Sequence, residues 1–238
     1  MKKIFVPLVA TLLAGLTAQA SVLIINENFD PSLSAGANIS AYGPGGNGTS
    51  GSTGIVAGDG MGGTDAWEST MVAAAGGSAG YAYYGPQYQN GGVTGNTSAN
   101  LSDYTLSFDA AASSGVSLNI QIQSWTGAGF GGTQTGTLNT APANPGYGND
   151  ITLNTFYTHY SLNLGDTTIF QGNTGFLPNG GTIQMAFQLD DGANPPWTAT
   201  LDVDNLQLTM NSVPEPTILA LSGMGISLTG LLIRRRVA

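Results

Sequence analysis

Apolar and polar side chains alternate with period two through the second half of this chain, and that pattern leaves few folds open. YTLSFDA sets Tyr104, Leu106 and Phe108 against Thr105, Ser107 and Asp109. VSLNIQIQ sets Val116, Leu118, Ile120 and Ile122 against Ser117, Asn119, Gln121 and Gln123. YSLNL sets Tyr160, Leu162 and Leu164 against Ser161 and Asn163, and TIQMAFQLD sets Ile183, Met185, Phe187 and Leu189 against Gln184, Ala186 and Gln188. Successive side chains of a strand point to opposite sides, so each segment reads as an antiparallel strand with one dry and one wet face. In TATLDVDNLQLTM the apolar parity changes between Val203 and Leu206. One extra residue near Asp204 and Asn205 predicts a β-bulge.

The first half is less regular. SVLIINENF is a good opening strand, and TGIVAG, AWESTMVAAA and GYAYYG read as short strands. Glycine-rich stretches at 43–54, 58–63 and 90–100 read as loops between them. No helical period longer than a turn occurs outside the two ends, and no internal repeat is present. About nine or ten short strands separated by turn signals predict an all-β, jelly-roll-like antiparallel β-sandwich over residues 21–212.

Charge excludes several functions. The chain has 238 residues, 14 acids and five Lys plus Arg. The five are Lys2, Lys3, Arg234, Arg235 and Arg236, so between the ends only His159 can carry positive charge. Such a body has no cations with which to neutralise phosphates, which excludes nucleic acid as a partner. Its carboxylates must face water, accept hydrogen bonds or hold a metal. With no cysteine, disulfides and thiolate chemistry are excluded.

The ends read as addresses. Lys2 and Lys3, the apolar run Ile4 to Leu16 and the small-x-small site Ala18-Gln19-Ala20 form a secretory signal peptide over 1–20, cleaved before Ser21. The alternative, an uncleaved anchor, fits the short apolar run less well. Near the other end, Thr217 to Ile233 carries no charge. As a helix it would span about 25 Å, the low end of a bilayer crossing. Arg234, Arg235 and Arg236 would hold its far end in the cytoplasm. A buried helix of a soluble domain is the competing reading, and the terminal arginines argue against it.

Val213, Pro214, Glu215, Pro216 and Thr217, followed by the apolar segment and the arginines, resemble the PEP-CTERM sorting signal of exported bacterial proteins. That resemblance covers 213–238. It implies processing near Pro-Glu-Pro by an exosortase, transient anchoring in the inner membrane, then cell-surface or extracellular residence, often with exopolysaccharide and biofilm. Two prolines around Glu215 keep the chain extended and accessible outside the membrane. The order of NENFD, YTLSFDA, VSLNIQIQ and LDVDNLQL resembles galactose-binding-like jelly rolls, which include many carbohydrate-binding modules. The resemblance implies a structural Ca²⁺ tying the first strand to the last, with Glu27, Asp30, Asp202 and Asp204 as candidate ligands. The other reading of these acids is that they end strands and cap turns.

A sugar site needs aromatic faces and amides. Trp67, Trp125, Trp197, Tyr81, Tyr83, Tyr84 and Tyr88 are available, and Gln121 and Gln123 flank Trp125 while Gln184 and Gln188 line another strand. If those strands are neighbours, Trp125, Gln121, Gln123, Gln184 and Gln188 form one uncharged surface suited to a glycan. Tryptophans that fill a core, with amides on an ordinary wet face, are the plainer alternative. No catalytic constellation stands out. His159 lies on a wet face with no nucleophile elbow nearby in sequence, and neither Asp202 with Asp204 nor Asp190 with Asp191 reads as a glycosidase pair. The body is therefore expected to be non-catalytic, with structural or adhesive duty. A glycan-binding module acting on exopolysaccharide is the alternative, and a polysaccharide hydrolase the outlier.

Overall fold

The computed structural model describes residues 21–30, 32–45, 49–73, 83–94, 98, 100–115, 117–127, 132–140, 151–172, 181–190 and 196–211. The signal peptide, the Pro-Glu-Pro motif, the apolar segment 217–233 and the arginine tail lie outside them. Among the described residues no helix is long and apolar enough to cross a membrane.

The strands are β1 (Ser21–Glu27), β2 (Ala37–Gly45), β3 (Thr49–Val56), β4 (Ala66–Ala73), β5 (Tyr83–Gly91), β6 (Tyr104–Ala112), β7 (Ser117–Trp125), β8 (Gln134–Asn139), β9 (Ile151–Thr152), β10 (Thr158–Asn163), β11 (Gln171–Gly172), β12 (Thr182–Asp190) and β13 (Trp197–Asn211). One turn of 3-10 helix, Leu101–Asp103, precedes β6. The strands form two antiparallel sheets. One runs β10-β6-β13-β4-β3, with β1 also paired to β13; the other runs β11-β8-β7-β12-β5-β2, with β9 also paired to β7. The protein is thus an all-β antiparallel two-sheet sandwich, and the chain crosses repeatedly between sheets instead of meandering within one.

Alternation decides which face each strand buries. Tyr104, Leu106 and Phe108 of β6, Leu118, Ile120 and Ile122 of β7, and Ile183, Met185, Phe187 and Leu189 of β12 are all buried. Phe187 from one sheet meets Trp67 and Phe108 from the other edge-to-face, with ring centroids 5.1 Å and 5.6 Å apart. Edge-to-face contact sets the positive rim of one ring against the negative face of the next.

The predicted bulge is present. Asp204 pairs with Asp109 and Gln207 with Ser107, so Asn205 and Leu206 together oppose Phe108. Asn205 takes a left-handed φ of 49°, a conformation that asparagine adopts more readily than most residues. The extra residue returns Leu206, Leu208 and Met210 to the core that Leu201 and Val203 also face.

Three expectations are corrected. The glycine-rich stretch 43–54 is not a loop throughout: Gly45 closes β2, and Gly51 and Gly54 lie within β3, paired with Met71 and Glu68 of β4. Strand pairing uses backbone groups that glycine also possesses, so a partner can hold a segment that lacks strand propensity. The polar strands β2, β8, β9 and β11 go beyond the predicted set for the same reason. Trp67 and Tyr88 are core residues, 1% and 0% exposed, and neither is available to a ligand.

Candidate functional site

The two outward sheet faces differ in chemistry. On the face of the β12 sheet opposite the core, strand register assembles amides into rows. Gln184 of β12 stands opposite Gln123 of β7 and Gln89 of β5, and Gln89 stands opposite Asn38 of β2. The next row places Ala186 between Gln121 and Gln87. Gln188 follows, opposite Asn119. Trp125 shares the parity of Gln121 and Gln123 and stands opposite Thr182, about 7 Å along the strand from Gln123 at the usual rise per residue. The expected neighbourhood of Trp125, Gln121, Gln123, Gln184 and Gln188 is therefore a shared sheet face, since β7 and β12 are adjacent.

Gln89 and Asn38 extend that face and were not among the expected residues. A signal for Gln89 existed: QYQ at 87–89 matches QIQ at 121–123, an apolar residue between two amides. The outward amides are partly bonded to one another. Gln123 donates from Nε2 to Oε1 of Gln121 at 3.2 Å, and Asn38 donates from Nδ2 to Oε1 of Gln89 at 3.5 Å. Along β12 the outward positions are buried as well: Gln184 is 6% exposed and Ala186 2%, although their parity sets them opposite the core-facing residues of the strand. The Oε1 atom of Gln184 is buried and accepts no hydrogen bond.

The outward face of the other sheet gathers acids. Asp109 of β6 pairs in register with His159 of β10 on one side and Asp204 of β13 on the other, and Asp202 of β13 stands opposite Glu68 of β4. Asp109 Oδ1 lies 2.8 Å from His159 Nδ1, and Asp109 Oδ2 accepts from Asn205 Nδ2 at 2.8 Å. Asp109 is buried while the imidazole is largely exposed. This pair was not foreseen, because nothing local in FDA or THY tells which distant strand lies alongside.

Each expected metal ligand has a different setting. Glu27 is buried, and its two oxygens accept the backbone N–H groups of Phe29 at 3.0 Å and Ser34 at 2.7 Å. It thereby holds Phe29 in a left-handed turn, φ 60°. Asp30 is exposed beyond that turn. Asp204 is fully buried. Its Oδ2 accepts from Met61 N at 3.0 Å and Thr64 Oγ1 at 2.7 Å, and its Oδ1 accepts from Asn205 N at 2.7 Å. Among the described residues no group of three or more His, Asp or Glu stands where it could hold a metal ion. Glu27 and Asp204 are both engaged by donors of the protein. Their visible work is turn and loop anchoring. Gly60 fits this anchor: a Cβ there would lie 2.6 Å from the Asp65 carbonyl oxygen and 2.8 Å from Asp204 Oδ2.

Asp202 is less well served. Its Oδ1 is buried without a hydrogen-bond partner. Burial first, then the charges of Glu68 and Asp59, push its carboxyl up to about 6. Burial and the charges of Asp202, Asp204, Asp59 and Asp109 likewise raise the Tyr157 hydroxyl, which donates to the Asp59 carbonyl at 2.7 Å. The folded state thus holds the Asp202 proton more tightly than the unfolded chain does. The resulting stabilisation is complete below the ordinary value of 3.8 and is lost as pH rises through about 6. Asp202→Asn is expected to stabilise the protein at pH 7.5 by about 1 kcal/mol, a figure reduced for the solvent exposure of the group. At pH 3.5 it should change little. Melting curves across that range check this, and equal gains at both pH values would exclude the charge as the cause.

The fold and faces together define an all-β sandwich with acids gathered on one outward sheet face and amides aligned in register on the other. No protein-family profile matches the chain, and no curated protein matches it. Solved structures of similar chain path are found. The family 11 carbohydrate-binding module of the cellulosomal cellulase Lic26A-Cel5E of Clostridium thermocellum has a TM-score of 0.48 at 14% identity, over 82% of this chain and 97% of that one. The family 30 carbohydrate-binding module of cellulosomal cellulase Cel9D-Cel44B, also of Clostridium thermocellum, has 0.46 at 13%, over 82% and 99%. The CBM22-1 xylan-binding domain of Paenibacillus barcinonensis Xyn10C has 0.44 at 11%, over 82% and 99%.

Proposed function

We propose that the body is a non-catalytic glycan-binding module and that the outward face of the β12 sheet is its binding surface. The observation that supports this is the row Asn38–Gln89–Gln184–Gln123, which strand register lays across four neighbouring strands. Amides both donate and accept, and so do sugar hydroxyls, so such a row meets a polyol without requiring charge from either side. Trp125 offers a ring at one end of the row, against which the C–H face of a sugar can pack. With no Lys or Arg between residues 4 and 233, the surface favours uncharged polysaccharide over uronate- or sulfate-bearing chains.

Export and sorting belong to the same proposal. The signal peptide, Pro-Glu-Pro motif, apolar segment and arginine tail support delivery across the inner membrane and processing by an exosortase-type enzyme. The module would then meet exopolysaccharide at the cell surface or in the matrix. Mass spectrometry of the mature protein checks this; a full-length chain with both termini intact in the cytosol would overturn it.

Binding is tested by affinity electrophoresis against soluble mixed-linkage β-glucan, xylan and galactomannan, with an acidic polysaccharide as control. Trp125→Ala is expected to weaken the best interaction by about 1–2 kcal/mol, roughly 5- to 30-fold, with the melting temperature of the unliganded protein little changed. Migration unaffected by every neutral polysaccharide would reject the glycan reading and leave the structural or adhesive one.

A further inference from the structure

We propose that β3 is an interaction surface and that its partner is a second copy of this chain, the two β3 strands pairing antiparallel about a two-fold axis. The proposal is independent of the glycan reading. β3 ends one sheet and pairs with β4 through an unbroken register from Thr49 to Val56. Ser50, Gly51 and Ser52 are exposed. At Gly54 an added Cβ would meet no atom within 4 Å, so that stretch of the strand is open to a neighbour.

The other margins of the two sheets are guarded. β9 and β11 have two residues each, and β2 carries Pro44 and a register shift between Tyr42 and Gly45. β10 has six residues and holds the His159–Asp109 pair. β1 is set back. β6 occupies one side of β13 from Leu201 to Met210, so β1 and β4 share the other, and β3 lies one strand further out. Short strands, prolines, bulges and charges keep an edge from pairing, and the eight residues TSGSTGIV of β3 contain neither proline nor charge.

Symmetry fixes the register. A two-fold that carries one β3 onto the other keeps outward side chains outward, and side chains alternate along a strand. The pairing must therefore centre on a residue and not between two. Centring on Ser52 sets it against its own copy, Ser50 against the partner's Gly54, and Gly51 against the partner's Thr53. Hydroxyl pairs are favourable cross-strand contacts, and no like charges face each other. Charge also selects the occupant. With no Lys or Arg between residues 4 and 233, the body has no cations to hold an acidic partner, whereas an identical neutral edge brings no charge to the seam. The carboxylate beside the seam is Glu68, opposite Gly54 and one strand in.

The test uses protein isolated from cells that export it. Sedimentation at rising concentration is expected to show a dimer. Because two acidic bodies repel at long range, its population should grow as salt rises from about 0.05 to 0.5 M. Ser52→Lys places two like charges at the axis and is expected to raise the dimer dissociation constant about tenfold or more. Its melting temperature should stay within about 2 °C of wild type, since Ser52 is exposed. The chain has no cysteine, so Ser52→Cys supplies a single thiol. Mild oxidation should join it to its copy, the Cβ atoms of opposed residues being about 4.5–5.5 Å apart. Ser50→Cys should not cross-link, its two copies lying about 14 Å apart along the seam. A protein monomeric at every concentration, a dimer indifferent to Ser52→Lys, or equal cross-linking at both positions would overturn the proposal. The two cysteine variants decide it if Ser52→Lys does not fold.

Discussion

Replacing Asp204 with alanine is expected to destabilise the protein by about 3–4 kcal/mol, lowering the melting temperature by roughly 10 °C. Asp204 is fully buried on the last strand, and three donors converge on its carboxylate: the N–H groups of Met61 and Asn205 and the hydroxyl of Thr64. Hydrogen bonds to an ionised acceptor are stronger than neutral ones, and removing it strands the donors that faced it. Two of the three come from the loop between β3 and β4, so the variant should also free that loop, and limited proteolysis should cut near Met61 first. Asp204→Asn keeps the shape and one acceptor oxygen, and is expected to cost about half as much. If alanine were tolerated within 1 kcal/mol on the scale of ordinary surface substitutions, Asp204 would not be the anchor of that loop.

Phe187→Ala should cost about 3–5 kcal/mol, the range for deleting a fully buried aromatic side chain from a core. Phe187 is 0% exposed and is the ring through which the β12 sheet meets both Trp67 and Phe108 of the opposite sheet. Its loss removes buried apolar area and two edge-to-face contacts, and leaves a cavity between two sheets whose backbones are held by their own ladders. Phe187→Leu fills part of that space and should cost markedly less. Chemical denaturation of the three proteins checks the order. Equal midpoints for alanine and leucine would show that the site collapses freely around the deletion.

Particular residues show how far the linear chain could be read. The dry faces of β6, β7 and β12 were legible because strand geometry repeats every two residues and the register of a strand with itself is local. The bulge at Asp204 and Asn205 was legible for the same reason, as a slip in that count. The strand β2 and the first half of β3, Thr49 to Ser52, were not, since their glycine and serine residues carry little preference and only pairing with β5 and β4 holds them. The role of Glu27 was hidden as well. A carboxylate near a strand end looks the same in sequence whether it awaits a metal or caps the N–H groups of Phe29 and Ser34.

The linear order of residues thus settled the all-β class, the alternation of the long strands and the lack of Lys and Arg between residues 4 and 233, because all three depend on composition and on neighbours two positions apart. Only the tertiary structure decided which strands lie side by side. It placed Gln184 between Gln123 and Gln89, His159 against Asp109, and Asp204 beneath the Met61 loop. Those juxtapositions join residues far apart in the chain. They follow from cross-strand pairing and the packing of one sheet on the other, which no local pattern encodes.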